Sequence, residues 1–316
     1  MREDGEQIGW GMAGGIWEAI MAPLPSRVRA SFDAAGRLTI AAAASDIGTG
    51  TYTILAQLAG EAFGLPAEEV VVELGDSSLP YNPLEGGSWM AASAGAAVAR
   101  ACDKLKKALL RQARRSQPLP RGAAGISFAG GRLEGPALPG GGVAIGELVT
   151  AAGRPIEVIG TVMPKLMSFG KVSYTHSAVF AEVRVDEELG VVRVTRVVTA
   201  IAAGRILNHK TARSQILGGV VMGIGRALHE EGVYDHRFGR LMNHSLADYH
   251  FPTNADIFDI DVIFVDEQDP EASPLGVKGV GEIGIVGVAP AIANAIWHAT
   301  GRRIRSLPIT PDKLLA

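Results

Sequence analysis

Glycine accounts for 40 of the 316 residues, and it is far from evenly spread. It gathers at Gly11 to Gly15, Gly48 to Gly50, Gly86 and Gly87, Gly218 to Gly225 and Gly276 to Gly287. Glycine weakens helix and strand alike, so clusters lying between periodic segments mark loops whose backbone, more than their side chains, meets something. The last cluster holds GVKGVGEIG, Gly276 to Gly284, where one carboxylate, Glu282, stands in a loop lean in side chains. An apolar stretch follows, with Val288, Ile292 and Ile296 at helical spacing and Gly301 as its stop. Amide N–H groups at the start of such a helix face the loop and favour an anionic ligand. A glycine turn carrying a surface glutamate is the plainer alternative.

The remaining composition excludes several classes. The chain is 47% hydrophobic and 20% charged with a formal net charge of −3, an ordinary globular balance, and it is long enough for two domains or one large one. No apolar run is long and charge-free enough to span a bilayer, and the first thirty residues lack a basic start followed by an apolar core. The single cysteine, Cys102, precludes an internal disulfide and a cysteine-held cluster, and its spacing with Val98, Leu105 and Leu109 puts it on a buried helix face. Slight acidity argues against nucleic acid as a partner. Arg111, Arg114 and Arg115 stand at a helix end before Pro118, where they complement its dipole.

Periodicity predicts two strands within Val28 to Ala42 around the turn Asp33 to Gly36, then a glycine and hydroxyl loop over Ser45 to Thr53. A helix with Ile54, Leu55, Leu58 and Phe63 apolar comes next, then a strand over Val70 to Leu74 and an alanine-rich helix over Ala92 to Arg114. Pro118 to Gly142 reads as a surface connection with one short strand near Ile126 to Phe128. Strands follow over Glu157 to Val162, Ala178 to Val185 and Val191 to Ala202, the last two forming a hairpin. A polar segment, GRILNHKTARSQ, leads to a helix over Ile216 to Glu230, and a strand covers Ile260 to Val265. Hairpins mixed with strand–loop–helix units predict an α+β fold. Its first lobe is expected over 1–120 with ligand loops at 46–53 and 86–95, a connection over 121–142, and a second lobe over 143–316 with loops at 205–215 and 276–284.

Familiar catalytic patterns are missing. Gly279 to Gly284 matches GxGxxG, but the preceding strand ends near Asp266 and the region twenty residues on is Arg302-Arg-Ile-Arg305, so a nicotinamide-dependent dehydrogenase is a distant alternative. Lys278 stands before the glycines, which excludes a Walker loop, and no GxSxG elbow occurs. The seven histidines make neither an i,i+4 zinc pair nor HExxH. Asp248, Tyr249 and His250 read as a turn. What remains is one carboxylate and several backbone-rich loops suited to a single large anionic ligand.

Four motifs in order carry a resemblance: DIGTGTYTILAQ at 46–57, GGSWMAASAG at 86–95, AAGRILNHKTARSQILGG at 202–219 and GVKGVGEIG at 276–284. Through them the chain resembles the C-terminal half of the molybdenum-binding large subunit of the xanthine dehydrogenase and aldehyde oxidoreductase family. The nearest likeness is to bacterial aldehyde oxidoreductases that carry molybdopterin cytosine dinucleotide. The resemblance implies the two mixed lobes of that family's second molybdopterin-binding region. It also implies that Gly48, Thr49 and Gly50 form the first cofactor loop and Ala92 with Ser93 the second. Arg205, Ile206, Leu207, Asn208, His209, Lys210 and Thr211 with Gln215 form the third, and Lys278, Gly279, Val280 and Gly281 lie against the pterin. Backbone amides, Ser93 and the cations Arg205, Lys210 and Lys278 suit a pyrophosphate. Molybdenum is then held by the cofactor's dithiolene, with no ligand from the protein.

By the same resemblance Glu282 is the general base in hydroxylating an aldehyde, or an N-heterocycle, with oxygen from water. The two electrons leave through iron–sulfur clusters on a partner subunit, with an FAD subunit beyond. Thr49 and Gly95 replace the glutamine and serine of xanthine dehydrogenases proper, which tilts the likeness toward the aldehyde branch. Relatives carry several hundred residues before the point matching Met1, so another chain is expected to supply that half. The alternative is a truncated, non-catalytic cofactor-binding remnant or scaffold. The cytoplasm is the expected location, or the periplasm if a partner carries the export signal.

Overall fold

The computed structural model describes residues 2–3, 5–116, 125–164 and 172–315. In chain order, β1 (Arg2–Glu3) and β2 (Glu6–Glu18) come first, then β3 (Ser26–Phe32), β4 (Leu38–Ala41), α1 (Thr51–Phe63), β5 (Val70–Glu73) and α2 (Met90–Ser116). Next are β6 (Ser127–Ala129), β7 (Arg132–Glu134), β8 (Gly142–Ala144), α3 (Ile145–Ala152) and β9 (Ile156–Val162). The chain continues through β10 (Tyr174–Asp186), β11 (Val191–Ala202), α4 (His209–Leu228), β12 (Tyr234–Asp235), β13 (Arg240–Leu241) and β14 (Asp259–Phe264). It ends with α5 (Val288–Thr300) and α6 (Pro311–Leu315). The α+β expectation holds.

The chain forms two compact units. Unit 1 comprises Met1–Ala19, Tyr174–Gln268 and Gly279–Ala316; unit 2 comprises Ile20–Ser173 and Asp269–Lys278. These differ from the expected lobes, 1–120 and 143–316, because strand pairing ignores sequence proximity. Strand β2 pairs along its whole length with β10, which assigns the first nineteen residues to unit 1. Strand β9 pairs with β3, which brings 156–162 into unit 2. The expected connection at 121–142 begins outside the described residues; its later part contributes β6, β7 and the start of β8 to a three-stranded sheet of unit 2.

Unit 1 is built on a five-stranded sheet of order β1-β2-β10-β11-β14, antiparallel except for β11 against β14. Alternation along β10 sends Val179, Ala181, Val183 and Val185 to a core shared with Val197 and Ile201 of β11, Ile216, Val220 and Ile224 of α4, and Ile292 and Ile296 of α5. Two glycine clusters lie inside regular elements, the second of them within the helix already expected over Ile216 to Glu230. Gly11 to Gly15 is part of β2, where a Cβ on Gly11 would lie 2.1 Å from Ala291 O and 2.3 Å from Ala295 N, so the glycines let the backbone of α5 rest on the strand. Gly218 to Gly225 lies within α4, where a Cβ on Gly223 would stand 2.5 Å from Val288 Cβ. In both places glycine supplies close approach of packed elements, a role that sequence spacing does not distinguish from a turn.

Unit 2 carries a four-stranded sheet, β5-β4-β3-β9, with α2 across β3 and β9. Its core contains Phe32, Leu38, Ile40, Leu55, Phe63, Leu105 and Leu109, all with no exposed surface. Phe63 meets Phe32 and Phe128 edge to face, at centroid distances of 5.0 and 5.5 Å. Cys102 is buried as expected, and burial pushes its thiol up to about 12, which leaves it inert. Arg114 and Arg115 stand in the last turn of α2, as the dipole argument requires. No helix among the described residues is long and apolar enough to cross a membrane.

Candidate functional site

In unit 2 the first expected loop is a left-handed step, Gly48 at φ 97° and Gly50 at φ 86°, that delivers the chain into α1. Nothing lies within 4 Å of a Cβ built on Gly48, so glycine is required there by the backbone angle and not by crowding. Asp46 organises the step: its carboxylate accepts from the N–H groups of Gly48 at 2.9 Å, Gly50 at 3.2 Å and Tyr52 at 3.2 Å. Burial opposes ionisation of Asp46, but the amides of Tyr52, Gly48, Gly50 and Thr51 outweigh it and hold the carboxyl below the usual range. Two amides expected to face a ligand are thus turned toward a carboxylate of the loop itself.

A second carboxylate completes this loop. Glu85 Oε1 accepts from the hydroxyls of Thr49 and Thr51, each at 3.1 Å, while its Oε2 is buried without a hydrogen-bond partner. Burial raises the pKa of Glu85; the two hydroxyls pull it back, Asp46 pushes it up again, and the net shift is upward. Between the ordinary carboxylate value and that raised value, the folded chain holds a proton the unfolded chain has released, so stability falls as pH rises across the interval. Glu85→Gln is expected to flatten this part of the melting-temperature profile relative to the wild type, as read by thermal melts from pH 4.5 upward. Neither Asp46 nor Glu85 was anticipated as a site residue. The Asp-x-Gly spacing is a turn signal that points to Asp46, whereas Glu85 has no local signature.

The second loop passes Ser88, whose φ of 60° is the only positive value for a non-glycine among the described residues, and enters α2. Ala92 and Ser93 are buried there, and Ser93 Oγ accepts from Ala22 N–H at 2.8 Å. Lys278 is also buried in this unit, with Nζ 3.2 Å from Asp269 Oδ2. Burial disfavours the Asp269 carboxylate, yet Lys278 and the amides of Ala272 and Glu271 hold it below the usual range. Both Ser93 and Lys278 therefore have protein partners.

In unit 1, Arg205, Ile206 and Leu207 lead to Asn208, which caps α4 by accepting from Thr211 N–H at 3.0 Å. The helix starts at His209, seven residues before the expected Ile216, because capping fixes its start while polar residues 209–215 carry no apolar period. His209 packs edge-on against Phe264 at 5.6 Å. Arg205, Lys210 and Arg213 are exposed, and the first turn of α4 has no acidic residue, so the positive end of a 20-residue helix is reinforced by cations.

The GxGxxG run begins in irregular chain and passes into turns well after β14 ends at Phe264, which removes the strand a dinucleotide fingerprint needs. Gly279 O accepts from the buried Thr175 Oγ1 at 2.8 Å. Glu282, half-buried, sits where its own carbonyl accepts from Ile285 N–H at 3.2 Å and Ile283 O accepts from Val286 N–H at 3.2 Å. A Cβ on Gly284 would lie 2.9 Å from Ile216 Cα and 3.4 Å from Gln215 O, and one on Gly219 would lie 2.6 Å from the carbonyl carbon of Gly284. The turn bearing Glu282 is thereby pressed onto the first half of α4, bringing together the segments of Gln215 and Glu282. No group of three or more His, Cys, Asp or Glu able to hold a metal ion exists among the described residues.

The exposed cations at the start of α4 have the donor chemistry an anionic cofactor needs, while the amides of Gly48 and Gly50 are engaged by Asp46. Residues 1–258 match the family described as molybdopterin cofactor-binding domain. The chain is 42% identical over 318 residues to the aldehyde oxidoreductase molybdenum-binding subunit PaoC of Escherichia coli K12, an alignment covering 99% of this chain and 41% of that one. It is 28% identical to the gamma subunit of the 6-hydroxypseudooxynicotine dehydrogenase complex of Paenarthrobacter nicotinovorans, covering 100% and 40%. Among solved structures, the aldehyde oxidoreductase of Desulfovibrio gigas superposes with a TM-score of 0.79 at 26% identity, over 99% of this chain and 33% of that one. Quinoline 2-oxidoreductase of Pseudomonas putida 86 shares the fold, with a TM-score of 0.85 at 24% identity over 98% of this chain and 42% of that one. The chain thus spans about two-fifths of the length of these curated relatives. Sequence match and fold agree, and the chain belongs to the molybdopterin cofactor-binding domain family.

Proposed function

We propose that this chain is the C-terminal part of the molybdenum subunit of an aldehyde oxidoreductase and binds molybdopterin cytosine dinucleotide. The observation that carries the reading is the fixed turn holding Glu282 against α4, whose Asn208-capped start bears Arg205 and Lys210. In this reading Arg205 to Thr211 and Gln215 hold the anionic dinucleotide, with helix-end amides and cations balancing its pyrophosphate. Gly48 to Gly50, Ala92, Ser93 and Lys278 to Gly281 form the remaining cofactor contacts. There Asp46 and Glu85 set the loop shape, and the Asp269 pair holds Lys278. When bound, the cofactor supplies two-electron oxidation. Glu282 Oε accepts the proton released as water-derived oxygen is transferred to the substrate carbon, an aldehyde or alternatively an N-heterocycle.

The working enzyme in this proposal includes the rest of the molybdenum subunit, an iron–sulfur subunit and an FAD subunit. It is placed in the cytoplasm, or in the periplasm by export with a partner. The test is purification of the assembled complex followed by elemental analysis for molybdenum and acid release of cytidine monophosphate. Equimolar molybdenum and cytidine monophosphate are expected, with oxidation of benzaldehyde exceeding that of xanthine. A complex that assembles without either component would leave the chain a non-catalytic scaffold.

A further inference from the structure

Unit 1 contains a cavity of about 440 Å³ beside the first turn of α5. Ile285, Ala293, Ile304 and Leu307 give it apolar walls, and no acidic side chain lines it. Arg226, from the last turn of α4, and Arg305, from the segment after α5, line it as well. Both are exposed, and neither has an ion-pair or hydrogen-bond partner among the described residues.

That isolation sets them apart from their neighbours. Arg303 donates to Asn294 Oδ1 at 2.8 Å and lies over the Trp297 ring at 4.3 Å. Arg196 pairs with Asp259 and Asp261 at 3.3 and 2.7 Å. Two unneutralised guanidiniums on one apolar cavity repel each other, and an anion between them relieves that repulsion while satisfying their planar donor forks. The volume falls within the roughly 300–1,000 Å³ of small-molecule sites. The adjoining α5 has no acidic residue in its first turn and no side-chain cap, so its positive end adds to the same field.

We propose that this cavity binds a carboxylate with an apolar body, the head held by Arg226 and Arg305 and the body lying along Ile285, Ala293, Ile304 and Leu307. Carboxylates are also what the proposed oxidation would release, but the binding is independent of that reading and of Glu282. The full chain is titrated calorimetrically with 3-phenylpropionate at neutral pH. Saturable binding is expected, weakened about tenfold by Arg226→Gln and about tenfold by Arg305→Gln, the loss of one charge-assisted hydrogen-bonded contact in each. The neutral 3-phenylpropanol should bind at least about tenfold more weakly, for the same reason. Ala293→Phe, which fills the cavity and leaves both arginines in place, should abolish binding. Absence of saturable binding to the wild type overturns the proposal, as does equal affinity for the alcohol or undiminished binding in the two arginine variants.

Discussion

Glu282→Gln is expected to leave the molybdenum and cytidine monophosphate content of the assembled complex unchanged and to lower turnover by about 10²–10⁴, the usual range for loss of a general base. The amide preserves the size of the side chain but cannot take up a proton. The turn around it is fixed by backbone bonds, Ile285 N–H to Glu282 O and Val286 N–H to Ile283 O, and by the contact of Gly284 with Ile216, none of which uses the carboxylate. The loss should fall on kcat with KM nearly unchanged, because an interaction made only in the transition state is being removed. Wild-type turnover in a fully loaded variant would remove Glu282 from the chemistry. A variant that loses the cofactor would show that the carboxylate serves binding instead.

The second large effect is on folding. Gly11→Val should destabilise unit 1 by about 3 kcal/mol or more, the upper end of overpacking costs, seen as a drop of roughly 2–4 °C in melting temperature per kcal/mol. The reason is that the new atoms would collide with backbone, not with flexible side chains: the Cβ alone falls 2.1 Å from Ala291 O. Helix α5 would have to lift from β2, taking with it the packing of Ile292 and Ile296. Gly14→Ala is the matched control, since a Cβ there meets only Ser177 O at 3.8 Å. It should be neutral or mildly stabilising, as replacement of a strand glycine by alanine is where space permits. Equal melting temperatures for Gly11→Val and wild type would mean that α5 does not rest on β2 as described.

The contrast between these two glycines shows what one-dimensional reading can reach. Helices α1, α2 and α5 follow from apolar spacing and from Gly64 and Gly301 as left-handed stops, both of which are local properties. The start of α4 was hidden because Asn208 caps a polar first turn, and β2 was hidden because Gly9, Gly11 and Gly15 look like loop residues until the surface that crosses them is known. Unit boundaries depend on pairing such as β3 with β9, which no local pattern announces. The residues proposed to bind the cofactor were legible through family likeness and not through spacing. Of their supports, Asp46 carries a local turn signal, whereas Glu85 and Asp269 emerged only from hydrogen-bond and ion-pair geometry, since the partner that gives each its role is set by the fold.

Strand β2 leaves a further mark, on the order of events as the chain is made. Its partner β10 lies on the far side of residues 20–173, so Trp17 cannot reach its opposite number Thr175 until that whole stretch has been synthesised. Closing so long a loop costs only slightly more than closing a shorter one, but contacts this distant in sequence slow folding. In the meantime a thirteen-residue strand bearing Trp10, Met12 and Ile16 waits with an open edge, the form most prone to pair with a neighbouring chain. Nascent chains that pause before residue 174 are therefore the ones that should call most heavily on chaperones.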